Sequence, residues 1–460
     1  MPERDELFFT KKNAWDIISD DEKTQIDIYC EGYKRFLDCA KTEREAVITA
    51  ASMAESAGFV PYQRGMKLTA GTRIYKNVHG KALMLAVIGK APLSDGVNIA
   101  GAHVDSPRLD LKQIPLYEDS ELAFLKTHYY GGIKKYQWVT LPLSLHGTVV
   151  KKDGSHVDIV IGEEAEDPVF LITDLLPHLD KDQSKKTLAE AFTGENLNVI
   201  VGSRPTGGEK DSDRVKHTVL QILSEKYGIT EEDLLSAELE TVPVARARDV
   251  GFDRTMIGAY GQDDRSCVYA ELRAILDIET PWKTALCLLT DKEEVGSEGV
   301  SGMQSAVFEN FMEDLCDSQK VKLRHCFEKS FCLSADVCNA FDPNFPDVSE
   351  KRNSAKFNYG MGILKFTGAK GKSGSSDASA ETIGRLRRIF DENGVIWQMA
   401  ELGKVDQGGG GTIAKYMANR NIDTIDAGVP VLSMHSPYEI TSKLDCYMTY
   451  KGIKAVYHDK

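Results

Sequence analysis

The chain has 460 residues, 42% hydrophobic and 27% charged, a globular composition that excludes collagenous, low-complexity and coiled-coil architectures and, at about 150 residues per domain, suggests two or three domains. Lysine and arginine number 56 against 70 aspartates and glutamates, a net charge of −14, so the surplus cations from which nucleic-acid binders draw phosphate affinity are missing. The longest apolar runs, Ala82–Ile88 and Ala285–Leu289, fall far short of the roughly 20 residues of a membrane span; neither a nucleic-acid nor a membrane partner is expected.

The N-terminal stretch MPERDELFFTKKNAWD mixes acids and bases without the apolar core of a secretory leader. Nine cysteines with no CxxC spacing indicate neither a disulfide framework nor a cysteine-based zinc module. A cytoplasmic protein whose cysteines serve as small buried hydrophobes is expected.

In chain order, residues 15–58 read as helical, with an amphipathic stretch from Glu43 to Ala57 that stops at Gly58. Apolar runs follow at 82–88 and 97–102; the second is short and mostly apolar, as a strand buried on both faces would be, and His103 comes directly after it. Between about 112 and 247 the pattern turns β-rich, with Trp138–Val150 and His156–Ile161 flanking a Lys152-Asp153-Gly154 hairpin signal. A polar loop, Arg204–Asp213, precedes a helical stretch, Arg214–Lys226. From about 248 the mixture of helical and short apolar segments resumes: helical 264–278, strands at 284–290 and 331–335, helical 377–391, and a strand at 395–400. A glycine-rich turn at 408–411 opening a helix, a strand at 424–431 and a helix after Thr441 complete the pattern. Alternating strands and helices imply an α/β layer fold. One domain is thus split in sequence, 1–111 with 248–460, around an insertion at 112–247.

Familiar single motifs are absent. There is no GxSxG and no HExxH, and the first glycine of a phosphate loop ending at Gly371-Lys372-Ser373 would fall on Phe366. What the chain offers is a dispersed set of acids and imidazoles, each at the predicted C-terminal end of a strand, where open α/β sheets place ligand sites: His103 and Asp105, Asp263 and Asp264, Glu293 and Glu294, Asp336, and His435. Such N and O donors suit two borderline divalent ions. A carboxylate bridging two ions orients a water between them, and a second glutamate beside a ligand glutamate is placed to take that water's proton.

At these residues the sequence resembles the M18 family of metalloaminopeptidases, the aspartyl aminopeptidase and aminopeptidase I type. The matching segments are Ala102–Leu109, Gly261–Cys267, Asp291–Ser297, Ser334–Asp336, Asn344-Phe345, Gly409–Ile413 and Met434–Glu439, in family order over nearly the whole chain. The resemblance implies a catalytic dizinc-peptidase domain with a central mixed sheet flanked by helices, interrupted by a β-rich dimerisation domain, usually in dodecamers. It implies that His103 and Asp336 hold one metal ion, that Glu294 and His435 hold the other, and that a single aspartate bridges them. Similarity to the Asp-Asp-Arg pattern of related dizinc peptidases implies Asp263 for the bridge, with Asp264 as the alternative. Glu293 is then the general base, and Asp105 the carboxylate that orients the His103 imidazole. Two divalent ions per chain are expected, zinc first, with manganese or cobalt as alternatives.

Within the insertion, Leu176–Leu179 matches a family segment whose histidine, here His178, reaches the active site of a neighbouring subunit. In the family an acidic substrate side chain meets a lysine on the strand after the aspartate ligand, here Lys365, and the acid-selective members carry a histidine three residues after that ligand, where this chain has Asn339. The expected activity is removal of the N-terminal residue of short peptides by a homo-oligomer, with acidic N-terminal residues accepted but not exclusive. The alternatives are a related dizinc carboxypeptidase or deacylase, and a non-catalytic assembly protein.

Overall fold

The stretch that reads in sequence as helical over 15–58 forms two helices, Asp20–Cys39 and Glu43–Ser56, and Thr42 caps the second. The Thr42 hydroxyl accepts from the Glu45 amide at 3.3 Å, and the Glu45 carboxylate accepts from the Thr42 amide at 3.0 Å. This reciprocal box satisfies two donors that a helix start leaves orphaned. The protein is represented by a computed structural model that describes residues 7–460; the first six residues of the N-terminal stretch without a leader's apolar core lie outside the described residues.

The chain forms two compact units, residues 1–105, 247–434 and 439–460 in one, 106–246 and 435–438 in the other. The first is an α/β unit built on a nine-stranded mixed sheet in the order 60–61, 73–78, 82–87, 284–290, 97–103, 331–334, 423–428, 361–364, 397–399. Its four middle strands, 284–290 to 423–428, run parallel. Apart from exposed Asp423 they are buried on both faces, and the first three are mostly apolar. Along Thr284–Thr290 the side chains alternate: Ala285, Cys287 and Leu289 pack with the helices Asp20–Cys39, Glu43–Ser56, Gln262–Leu276 and Lys443–His458. Leu286 and Leu288 pack on the other face with Phe308, Phe311 and Leu315 of the helix Val307–Ser318. Each such buried leucine contributes about 1.5–3 kcal/mol.

The strand expected over 424–431 divides at Val429: Asp423–Gly428 lies in the nine-stranded sheet and Pro430–Leu432 in a separate five-stranded one with 248–250, 256–259, 338–339 and 439–442. Gly428 is required at the division, because a Cβ there would stand 2.0 Å from the carbonyl oxygen of Asp336.

The second unit carries a six-stranded antiparallel sheet in the order 156–161, 143–150, 237–243, 108–119, 122–130, 199–202, with the helix Arg214–Tyr227. The boundary expected at 111/112 falls inside the strand Arg108–Asp119, whose register against Leu122–Tyr130 shifts between Leu111 and Leu116. Among the described residues no helix is long and apolar enough to cross a membrane. The nine cysteines are unpaired, and all but Cys39 are buried.

Candidate metal centre

Parallel strands present their C-terminal ends on one edge, and that edge gathers the acids of the first unit. His103 ends the strand Val97–His103, Asp336 follows Phe331–Ser334, and Glu293 and Glu294 follow Thr284–Thr290 in a short 3-10 turn, Glu293–Val295. Asp263 sits in the first turn of the helix Gln262–Leu276, joined to Asp264 by a cis peptide bond. That helix start is fixed by Gln262, whose buried amide donates to the carbonyls of Ile257 at 3.1 Å and Glu439 at 2.7 Å and accepts from the Thr441 hydroxyl at 2.6 Å. The Asp263 amide in turn donates to the Glu439 carboxylate at 3.0 Å.

His103, Asp263 and Asp336 converge: one candidate ligand atom from each lies within 4.8 Å of the others. His103 Nε2 stands 3.2 Å from Asp263 Oδ1 and 3.8 Å from Asp336 Oδ1. Tetrahedral zinc with bonds of about 2.0–2.2 Å needs ligand atoms about 3.3–3.6 Å apart, so these three donors fit such an ion with small adjustment. The imidazole is already oriented for it. Its Nδ1 donates to the backbone carbonyl of Asp105 at 3.0 Å, which leaves ligation to Nε2.

Electrostatics favour a cation in the same place. Burial opposes a charge on His103, yet Asp105, Asp263 and Asp336 override it and raise its pKa well above the ordinary value. Burial, reinforced by Asp336, Asp105 and Asp263 and opposed by His103, pushes the Glu293 carboxyl up to about 8. Carboxylates crowded this closely hold protons or a metal ion, not open charge.

The remaining predicted residues are placed as follows. A carboxylate oxygen of Glu294 lies within 4.8 Å of one of Asp263, so Asp263 reaches both His103 and Glu294. Asp264 is buried and accepts from the His103 backbone amide at 3.3 Å. The Asp105 carboxylate accepts from the amides of Glu293 and Glu294, each at 3.2 Å, and lies 3.4 Å from His103 Nδ1. The Asp105 carboxylate thus lies against both the glutamate turn and the imidazole, and its carbonyl also accepts from the imidazole.

His435 is grouped with the second unit, where its Nδ1 donates to the carbonyl of Gly132 at 2.8 Å. His178 is exposed on a loop of that unit beside Leu176 and Leu179, which are also exposed. Lys365 is exposed directly after the strand Met361–Leu364, and Asn339 is half-buried at the end of Cys338-Asn339. Two residues that hold the glutamate turn from its far end, Gln304 and Tyr416, are not singled out by the sequence, since a side chain that binds a backbone carbonyl leaves no motif.

The family profile described as "Aminopeptidase I zinc metalloprotease (M18)" matches residues 36–457. A "Probable M18 family aminopeptidase 1" of Clostridium acetobutylicum is 50% identical over 452 residues, covering 96% of this chain and 97% of the relative. Among solved structures, an M18-family aminopeptidase from Thermotoga maritima superposes with a TM-score of 0.95 at 44% identity, covering 98% of this chain and 100% of that one. The fold is also shared with the S. cerevisiae protein mApe1, solved as a dodecamer, with a TM-score of 0.76 at 22% identity, covering 94% of this chain and 96% of that one.

Proposed function

The chain belongs to the M18 family of zinc metalloaminopeptidases, and we propose that it removes the N-terminal residue from short peptides with Glu293 as general base. The observation that carries this reading is the convergence of His103, Asp263 and Asp336 at the sheet edge, with a Glu293 carboxylate oxygen 4.0 Å from His103 Nε2. His103 and Asp336 are assigned to one ion, Glu294 and His435 to a second, and Asp263 to both. Zinc bound there would acidify water and polarise the scissile carbonyl. Glu293 takes the proton of the attacking water and returns it to the leaving amine. The 3-10 turn keeps its carboxylate beside the three ligands, and Asp105 fixes that turn through the amides of Glu293 and Glu294.

For specificity we assign Lys365 to acidic N-terminal side chains. Asn339 can hydrogen-bond a carboxylate but brings no charge, so acidic residues are accepted without being exclusive. The exposed His178 with Leu176 and Leu179 supports a homo-oligomer in which this loop meets a second copy, in the manner of a dodecamer. Nine unpaired cysteines suit a reducing, cytoplasmic compartment.

The test is a panel of aminoacyl anilides with free and blocked amines, assayed with and without chelator on wild type and Glu293→Gln, with metal content measured after saturation with zinc, manganese or cobalt. Release from free-amine substrates only, two ions per chain, and a loss of about 10²–10⁴-fold in Glu293→Gln with metal retained are expected. Cleavage of blocked substrates, at most one ion per chain, or near-normal turnover in Glu293→Gln would each overturn the corresponding part of the reading.

A further inference from the structure

The turn that carries Glu293 and Glu294 is made of conformations that side chains resist. Lys292 and Ser297 have φ of 67° and 59°, and Gly296 between them has 95°. Left-handed backbone at two side-chain-bearing residues is unfavourable unless the surroundings enforce it. The start of the turn is enforced by Asp105. Its end is held differently: the carbonyl of Gly296 accepts from the Gln304 side-chain amide at 2.7 Å and from the Tyr416 hydroxyl at 3.2 Å. The same Gln304 nitrogen lies 3.2 Å from the phenol oxygen. One amide hydrogen can go to the carbonyl, the other toward the phenol oxygen and the phenol hydrogen to the carbonyl, so each of the three donors has an acceptor.

Tyr416 is itself firmly mounted. It lies on the short helix Ala414–Ala418, which follows the glycine-rich turn at 408–411. Ahead of it, the Thr412 hydroxyl donates to buried Asp426 on the strand Asp423–Gly428 at 2.7 Å. Ile413 packs so closely on Gly101 that a Cβ at Gly101 would stand 2.9 Å from its Cδ1. Gly101 lies two residues before His103, so the strand that ends in the candidate ligand also supports the helix that holds the glutamate turn.

We propose that Tyr416 and Gln304 are positioning residues for the general base: by pinning the carbonyl of Gly296 they hold the turn in its left-handed form and keep Glu293 aimed at the His103–Asp263–Asp336 group. This rests on the aminopeptidase reading. Neither residue is itself in the ligand group; because Glu294 shares the turn with Glu293, the comparison is made at saturating zinc, where mis-aiming of Glu293 is read in kcat.

The test uses the zinc-loaded protein and a free-amine aminoacyl anilide. Tyr416→Phe removes only the hydroxyl, and Gln304→Met keeps the side-chain length while removing both donors. Each variant is expected to lower kcat by about two- to tenfold, the worth of one hydrogen bond, with KM unchanged within about twofold and zinc content equal to that of the wild type. Because both act on one carbonyl, the double variant is expected to lose less than the product of the two single losses. Wild-type kcat in both single variants overturns the proposal, as does a rise in KM alone. A kcat loss that tracks zinc loss and is restored by added zinc overturns it too, since the residues would then act on the metal. A wild type that releases no residue from any free-amine substrate is a different failure, that of the aminopeptidase reading itself.

Discussion

Asp105→Asn separates two roles that proximity to His103 confounds. In the wild type both carboxylate oxygens accept backbone amides, those of Glu293 and Glu294, each at 3.2 Å. In the variant one oxygen becomes an NH₂ that faces an N–H, so one charge-assisted hydrogen bond is lost and the other is weakened. A hydrogen bond to a charged group is worth about 1.5–3 kcal/mol net, and about 1.4 kcal/mol is tenfold in rate. If the turn loses that support in the transition state, kcat falls by about 10–100-fold. Zinc at His103 is expected to stay, because the imidazole Nδ1 donates to the backbone carbonyl of Asp105 at 3.0 Å, and that group survives the substitution. The assay is kcat and KM for a free-amine aminoacyl anilide at saturating zinc, with zinc counted by elemental analysis. A variant with normal kcat would refute the argument, and a deficit that appears only below zinc saturation would return Asp105 to a role through the imidazole.

Gly428→Ala is expected to destabilise by about 1–3 kcal/mol and to lower zinc retention, since its Cβ would press on the Asp336 carbonyl 2.0 Å away; unchanged melting and metal content would contradict this. Lys365→Met is expected to lower kcat/KM for Asp- and Glu-linked substrates more than for Leu-linked ones, and an equal loss on both would remove Lys365 from selectivity. Burial raises the Asp249 pKa, but Lys34, Lys443 and Arg254 outweigh it and hold the carboxyl well below the usual range. A depressed folded pKa gives stability that is present above the unfolded value of about 3.9 and is lost as pH falls below it. Asp249→Asn is therefore expected to lower the unfolding temperature at pH 7 by about 1–3 °C, with the gap to wild type closing below about pH 4 in thermal melts.

The strands that position the site were legible because each is short, mostly apolar and ends in or is soon followed by an ionisable residue. His103 directly follows Val97–Ala102, and the strand does end there. The five-stranded sheet was not legible. Its strands are two to four residues long, too short to show a period, and Pro430–Leu432 is continuous in hydrophobicity with Asp423–Gly428 although it joins a different sheet. The helix break at Ala40–Thr42 was readable in principle from the Thr42 and Glu45 pair, since that spacing is a helix-start signature.

Residue type could not separate Asp263 from Asp264, because adjacent aspartates look alike until the backbone aims them. Asp263 faces His103 Nε2, while Asp264 accepts from the His103 backbone amide. The same limit hid the contact of Asp105 with the amides of the glutamate turn and the holding of Gly296 by Gln304 and Tyr416, since any sequence supplies backbone amides and carbonyls. What the sequence did carry was the charge imbalance of the edge, and the structure shows its cost. Burial together with neighbouring acids pushes Glu293 up to about 8 and Asp291, with Glu43 and Asp105 near it, up to about 6. A fold that concentrates acids beside one imidazole resists ionising them all, and a divalent cation relieves that resistance by replacing protons. Metal affinity at such an edge therefore rises with pH, and the unfavourable burial of these acids is what favours the ion that the reaction uses.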